Sequence, residues 1–175
     1  MPPITIVFFV SGIAVWANAM YFAGVGADRK EGGADPVKSV GWVTLVAGLI
    51  DFVQASGIVS NQLAGDASIL LGGLVGIYAT FFTFLGITEI QGLDLRPLGN
   101  VCIAVSLVPL FYWDFFSGSW MFQSILLVWV VVFLAITATA YGKLNPKVLS
   151  VLLFITAIYT FWTPVVILAT GNTIP

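Results

Sequence analysis

The charges of this chain are confined to short islands. No Asp, Glu, Lys or Arg falls in residues 1–27, 39–50, 52–65, 67–88, 97–113, 115–142 or 148–175. A helix needs about 20 mostly apolar residues to cross the hydrocarbon core of a bilayer. It must be a helix or a closed barrel, because backbone N–H and C=O groups find no water there. The windows predict about six crossings, at about 4–24, 39–60, 67–89, 98–115, 119–141 and 147–170. The sequence is 59% hydrophobic and 8% charged, against about 25% charged in a soluble domain. The expected fold class is an all-α integral membrane protein, a six-transmembrane-helix bundle forming a single membrane domain over residues 1–175.

Residues 27–38 form the one long polar connection, and their glycines, proline and charges read as a solvated loop. The remaining connections, 61–66, 90–97, 116–118 and 142–146, are short, so consecutive helices are expected as antiparallel neighbours. If the N-terminus is outside, the first, third and fifth loops hold every basic residue: Arg29, Lys30, Lys38, Arg96, Lys143 and Lys147. The positive-inside rule then predicts both termini outside and a multi-pass protein of the cell (inner or plasma) membrane. A cleaved signal peptide is not expected, because residues 1–22 lack a basic start and their apolar run is too long.

Composition also removes functions. The sequence has no His, so haem ligation and His-dependent catalysis are not expected. The lone Cys102 sits in an apolar run, where it reads as a small hydrophobe, and the four Lys lie outside the apolar windows. No cofactor, metal site, enzymatic activity or nucleic-acid partner is expected from a chain of net charge −2; membrane lipids are its surroundings.

Polar and aromatic residues recur at helical steps. Helix 1 carries Phe8, Ser11, Val15 and Asn18 on one face, and Asn18 suits either an interhelical hydrogen bond or contact with a passing solute. Helix 3 carries Tyr78, Phe81, Phe82 and Leu85. Helix 5 carries Trp129, Val132, Phe133 and Thr137; helix 6 carries Thr156, Tyr159, Thr160 and Thr163 in a stripe ending near Trp162. Small and hydroxyl residues often mark helix contacts in membranes. Rings paired with hydroxyls and amides also suit the path of a small, flat, neutral and dipolar solute. Asp51, within an apolar run, is the possible intramembrane acid. It reads as a proton-coupling group, a pore-mouth residue or a structural acid. Glu89 and Asp114 fall at helix ends, where a solvated or capping role is expected, and Asp94 and Arg96 are placed to pair or to cap helix 4.

These segments resemble the AmiS/UreI family of amide transporters and urea channels. Ser11-Gly-Ile-Ala-Val-Trp-Ala-Asn-Ala19 is similar to its Gly-x-x-Leu-x-x-Asn-Ala/Gly pattern, and Gly92-Leu-Asp-Leu-Arg-Pro97 to its Gly-Leu-Asp-Trp-Arg-Pro. Trp129-Val-Val-Val-Phe133 falls where the family has two aromatics four apart. Thr156-Ala-Ile-Tyr-Thr-Phe-Trp-Thr-Pro164 resembles Ala-Ile-Phe-Thr-Ala-Trp-Leu-Pro.

The resemblance implies a homohexameric ring with one pore in each protomer. It implies constrictions from Phe8, Ser11, Val15 and Asn18; from Ile77, Tyr78, Phe81 and Phe82, with the register of helix 3 open; from Trp129, Val132 and Phe133; and from helix 6 onward from Thr156, with Thr160 and Trp162 in the same stripe. Acid-gated members carry many periplasmic histidines and a glutamate at the position of Thr156, so the expectation here is an ungated or weakly regulated channel. Its solute would be urea or a short-chain amide such as formamide or acetamide, with a cytoplasmic amidase or urease as consumer. The alternative is a proton-coupled transporter using Asp51.

Overall fold

In the computed structural model, which describes residues 3–175, the chain is helical nearly throughout, and the described residues contain no strand. The helices are α1 (Pro3–Ala23), α2 (Pro36–Ser60), α3 (Ser68–Gln91), α4 (Arg96–Phe111) and α5 (Trp120–Ala140). The last rod is α-helical over Pro146–Ile155 (α6), π-helical over Thr156–Trp162 and α-helical again over Thr163–Ala169 (α7). Five segments are long and apolar enough to span a bilayer: Ile4–Ala23, Pro36–Ser60, Gly65–Gln91, Trp120–Ala140 and Pro146–Ala169. The protein is thus a multi-pass membrane protein, with large apolar side chains such as Trp42, Val53, Phe84 and Val151 turned outward.

The ends follow local chemistry that hydropathy does not register. Helix α2 starts at Pro36 instead of 39, because the Asp35 carboxylate accepts from Val37 N at 3.0 Å and Pro36 needs no hydrogen-bond partner at the first position. Asn145 and Pro146 start α6 in the same way, with Asn145 Oδ1 accepting from Lys147 N at 2.9 Å. Helix α4 runs from Arg96 to Phe111 rather than over 98–115. Its 16 residues span about 24 Å, short of a hydrocarbon core of about 30 Å. The aromatic run 112–118 continues the chain as turns, closed by bonds such as Ser117 N to Asp114 O at 3.1 Å.

Helices α2 and α3 make the closest seam. Residues Gly41, Gly48 and Ala55 recur every seven positions on α2, and Gly72, Ala79 and Gly86 do the same on α3. Running antiparallel, they meet in order. A Cβ at Gly41 would stand 2.8 Å from Gly86 O, one at Gly48 would stand 2.9 Å from Ala79 O, and one at Gly72 would stand 3.1 Å from Ala55 O. Lipid supplies no hydrophobic drive between helices, so close backbone approach over small residues supplies the attraction.

Helix α1 packs on α2 and on the last rod, and α4 packs on α5. There Thr137 Oγ1 donates to Gly99 O at 2.8 Å and Tyr141 Oη to Asn100 Oδ1 at 2.7 Å. The expectation that all consecutive helices are close neighbours fails at α3 and α4, which touch only sparsely. Their short connection is held by its own ion pair, Asp94 with Arg96, and each helix finds its main partner elsewhere. The gap belongs to an internal cavity.

Because the Gly86 contact is with the backbone of Leu45, 2.5 Å from an added Cβ, Gly86→Ala should cost about 1–3 kcal/mol of stability. Thermal unfolding in detergent should show this loss, while Gly57→Ala, where an added Cβ meets nothing within 4 Å, should leave the transition in place.

Candidate functional site

A cavity of about 340 Å³ runs along the axis of the bundle, walled by α1, α3, α5 and the last rod. On α1 its lining begins at Ile4 and ends at Phe22, a rise of about 27 Å, nearly the thickness of the hydrocarbon core. One end is formed by Ile4, Leu71, Phe116 and Phe122. The other, formed by Phe22, Glu89, Leu95, Leu98 and Pro146, lies against the loops that carry the basic residues.

Most of the sequence-derived candidates face this space. Helix α1 contributes Phe8, Ser11, Val15 and Asn18; α3 contributes Tyr78, Phe81 and Phe82; α5 contributes Trp129, Val132 and Phe133; the last rod contributes Thr156. The rings interlock at mid-depth. Tyr78 stacks on Phe133 with centroids 5.6 Å apart and meets Trp129 edge-on at 4.6 Å, while Phe81 meets Phe133 edge-on at 4.8 Å. Toward the Phe116 end, Phe8, Phe122 and Phe161 continue the aromatic wall.

Three candidates lie elsewhere. Ile77, one residue out of phase with Tyr78, is on the outer side of α3 and does not line the cavity. Trp162 packs at a tilt against Trp16, centroids 5.1 Å apart, and fills the niche over Gly12, where an added Cβ would collide with Trp162 Nε1. Thr160 sits behind the wall. Its hydroxyl donates to Thr156 O at 2.8 Å and accepts from Trp129 Nε1 at 3.1 Å, so it holds the indole in place.

The π segment explains the shift. Its hydrogen bonds close at i→i+5, so Thr156 and Phe161, five residues apart, both line the cavity. A four-residue step would have selected Thr160. Phe22, the next step of the α1 stripe, and Phe122 were within reach of sequence reasoning by extending the same spacing. Phe116 was not, since it comes from a turn.

The polar atoms along the wall are mostly committed. Ser11 Oγ donates to Asp51 Oδ2 at 2.6 Å, Thr139 Oγ1 to Ala135 O at 2.9 Å and Thr156 Oγ1 to Leu152 O at 2.7 Å. Asp51 is buried behind Ser11 between α1 and α2 and does not line the cavity, although its Oδ1 has no partner. Asn18 Nδ2 donates to Ala14 O at 3.1 Å and to Thr44 Oγ1 at 2.9 Å. The Tyr78 hydroxyl is buried without a partner.

Glu89 corrects the expectation of a solvated helix end. Helix α3 continues to Gln91, and the seam with α2 brings Gly41 against the Glu89 Cβ. The side chain is only 5% exposed, lines the cavity and leaves Oε2 without a partner. Asp94, by contrast, is at the surface. Its carboxylate binds the Arg96 guanidinium and accepts from Arg96 N at 2.9 Å, which holds its pKa down to about 2. Among the described residues no group of three or more His, Cys, Asp or Glu is placed to hold a metal ion.

A model of the AmiS/UreI family of transporters matches residues 4–172. Two solved structures share the fold, each with a TM-score of 0.79 and 18% identity. One is the urea channel of Helicobacter pylori in a closed state, with 95% of this chain and 97% of that chain covered. The other is a crystal structure of the urea channel from the same organism, with 99% and 100% covered. No curated protein matches the chain.

Thr160→Val keeps the shape of the side chain but removes the acceptor of the Trp129 N–H. Leaving that buried donor unpaired should cost about 1–3 kcal/mol, measured as a lowered unfolding temperature, with Thr160→Ser restoring most of it.

Proposed function

The chain belongs to the AmiS/UreI family of transporters, and on that premise we propose that it is a passive channel for small neutral polar solutes, urea or a short-chain amide such as formamide or acetamide, with one pore in each protomer. The observation that carries this reading is the axial cavity, which extends nearly the full depth of the bundle between aromatic rings. The H. pylori channel, whose fold this chain shares, conducts urea by name.

The wall fits such a solute chemically. Flat ring faces at Tyr78, Phe133 and Trp129 match a planar amide. The Tyr78 hydroxyl, buried in this wall, has no partner for its proton among the described residues. An ion crossing the ring-lined stretch would lose hydration without compensation, a cost far above that of a neutral dipole.

Asp51, the acid of a proton-coupled alternative, stands off the path and is tied to Ser11. It is better accounted for as part of the α1–α2 contact. The loops bearing the basic residues would lie in the cytoplasm, both termini outside, and the protomers would form a homohexamer in the inner membrane that feeds an amidase or urease.

Proteoliposomes under urea and acetamide gradients test the reading by stopped-flow light scattering. Flux should exceed that of empty vesicles, and flux equal to theirs would refute a channel. Trp129→Ala should alter it at least several-fold. Asp51→Asn, which keeps an acceptor for Ser11, should conduct within about two-fold of the parent with or without a pH gradient; this margin is roughly the effect of one exchanged neutral hydrogen bond. Loss of flux in that variant, or dependence on the gradient, would favour coupling.

A further inference from the structure

We propose that Asn18 and Glu89 form an acceptor subsite at the basic-loop end of the cavity, which selects solutes that donate N–H bonds. The inference rests on the channel reading and adds to it the residues that discriminate among solutes.

Two observations carry it. First, Glu89 is 5% exposed, lines the cavity and has an oxygen, Oε2, with no hydrogen bond. A buried carboxyl oxygen without a donor is costly, and a carboxyl keeps acceptor capacity whether ionised or protonated. The Arg96 guanidinium, at the start of α4, is engaged with Asp94 and forms no ion pair with Glu89.

Second, the orientation of the Asn18 amide is dictated by its neighbours. Ala14 O can only accept, so the atom facing it at 3.1 Å must be the NH₂ group, which also reaches Thr44. That leaves Oδ1 as the amide's remaining group, and it takes no hydrogen bond from the described residues. Thr44 connects the two residues. It receives the Asn18 N–H, and its own hydroxyl is within hydrogen-bond reach of both Val40 O, at 3.0 Å, and the Glu89 carboxyl.

The result is a pocket end lined by lone pairs, where the proton on offer is that of the Glu89 carboxyl when it is protonated. Primary amides and urea bring N–H donors that satisfy both oxygens, whereas a fully N-alkylated amide of similar dipole brings none and leaves them bare. Sites built to hydrogen-bond a solute group reject analogues lacking it far more strongly than apolar pockets reject a size change.

The test compares acetamide with N,N-dimethylacetamide in proteoliposomes, each corrected for empty-vesicle flux. Taking the ratio of the two across variants cancels the difference in solute size. Glu89→Leu should reduce the acetamide preference about ten-fold, the effect of leaving one buried hydrogen-bonding group unpaired, and Glu89→Gln, which keeps a carbonyl acceptor, should recover most of it. An unchanged ratio in Glu89→Leu would overturn the subsite. So would equal losses in Leu and Gln, which would point to charge instead of acceptor capacity. If Glu89→Leu does not assemble, Asn18→Leu makes the same comparison from the other oxygen: a reduced acetamide preference supports the subsite, and an unchanged one overturns it. Absence of any amide flux in the unaltered protein would instead refute the channel reading itself.

Discussion

Backbone contact between α2 and α3 is the constraint on which the remaining architecture depends. In lipid, two helices gain from association chiefly through packing and hydrogen bonds, and here the gain comes from a seven-residue repeat of Gly and Ala on both partners. The seam has two consequences beyond its own stability. It fixes the rotation of α3, directing Tyr78, Phe81 and Phe82 inward and Phe84 toward lipid. It also presses the end of α3 against Gly41, which buries Glu89. A bulkier repeat would separate the helices and turn the cavity wall.

Much of this was legible in the sequence, because bilayer thickness and charge placement together leave few choices. The five longer spans fall within a few residues of the expected crossings, one of them, Pro36–Ser60, running through Asp51. The α1 stripe, and the α5 stripe as far as Phe133, reach the cavity because their heptad-like spacing is undisturbed, whereas Thr137 turns to Gly99 on α4. What was not legible has definite causes. Helix boundaries at Pro36 and Arg96 are set by caps and turns, not by hydropathy. Thr160 and Phe161 changed places because a π-helical turn advances the register by one residue, and nothing in Thr-Ala-Ile-Tyr-Thr-Phe-Trp announces that turn locally. Ile77 was one step off on a helix whose phase was open. Glu89 was read from its distance to the next loop, whereas its burial is decided by a glycine on another helix.

Two polar rungs join α1 and α2. Ser11 meets Asp51 and, two turns along, Asn18 meets Thr44. In each rung α1 supplies the donor, and the partners are separated by seven residues on both helices. The same pairs set what the cavity sees, since each donor is turned outward from it. The cavity wall is therefore poor in free protons, the Tyr78 hydroxyl and a protonated Glu89 excepted, and its chemical character follows from how α1 is attached to its neighbour.

The length of the cavity has a further consequence. A volume of about 340 Å³ drawn out over about 27 Å leaves no room for two molecules side by side. On the channel reading, solutes in it move as a queue, leaving in the order of entry. A slow occupant then holds back every fast one behind it, so the rate for a mixture is not the sum of the rates for its components.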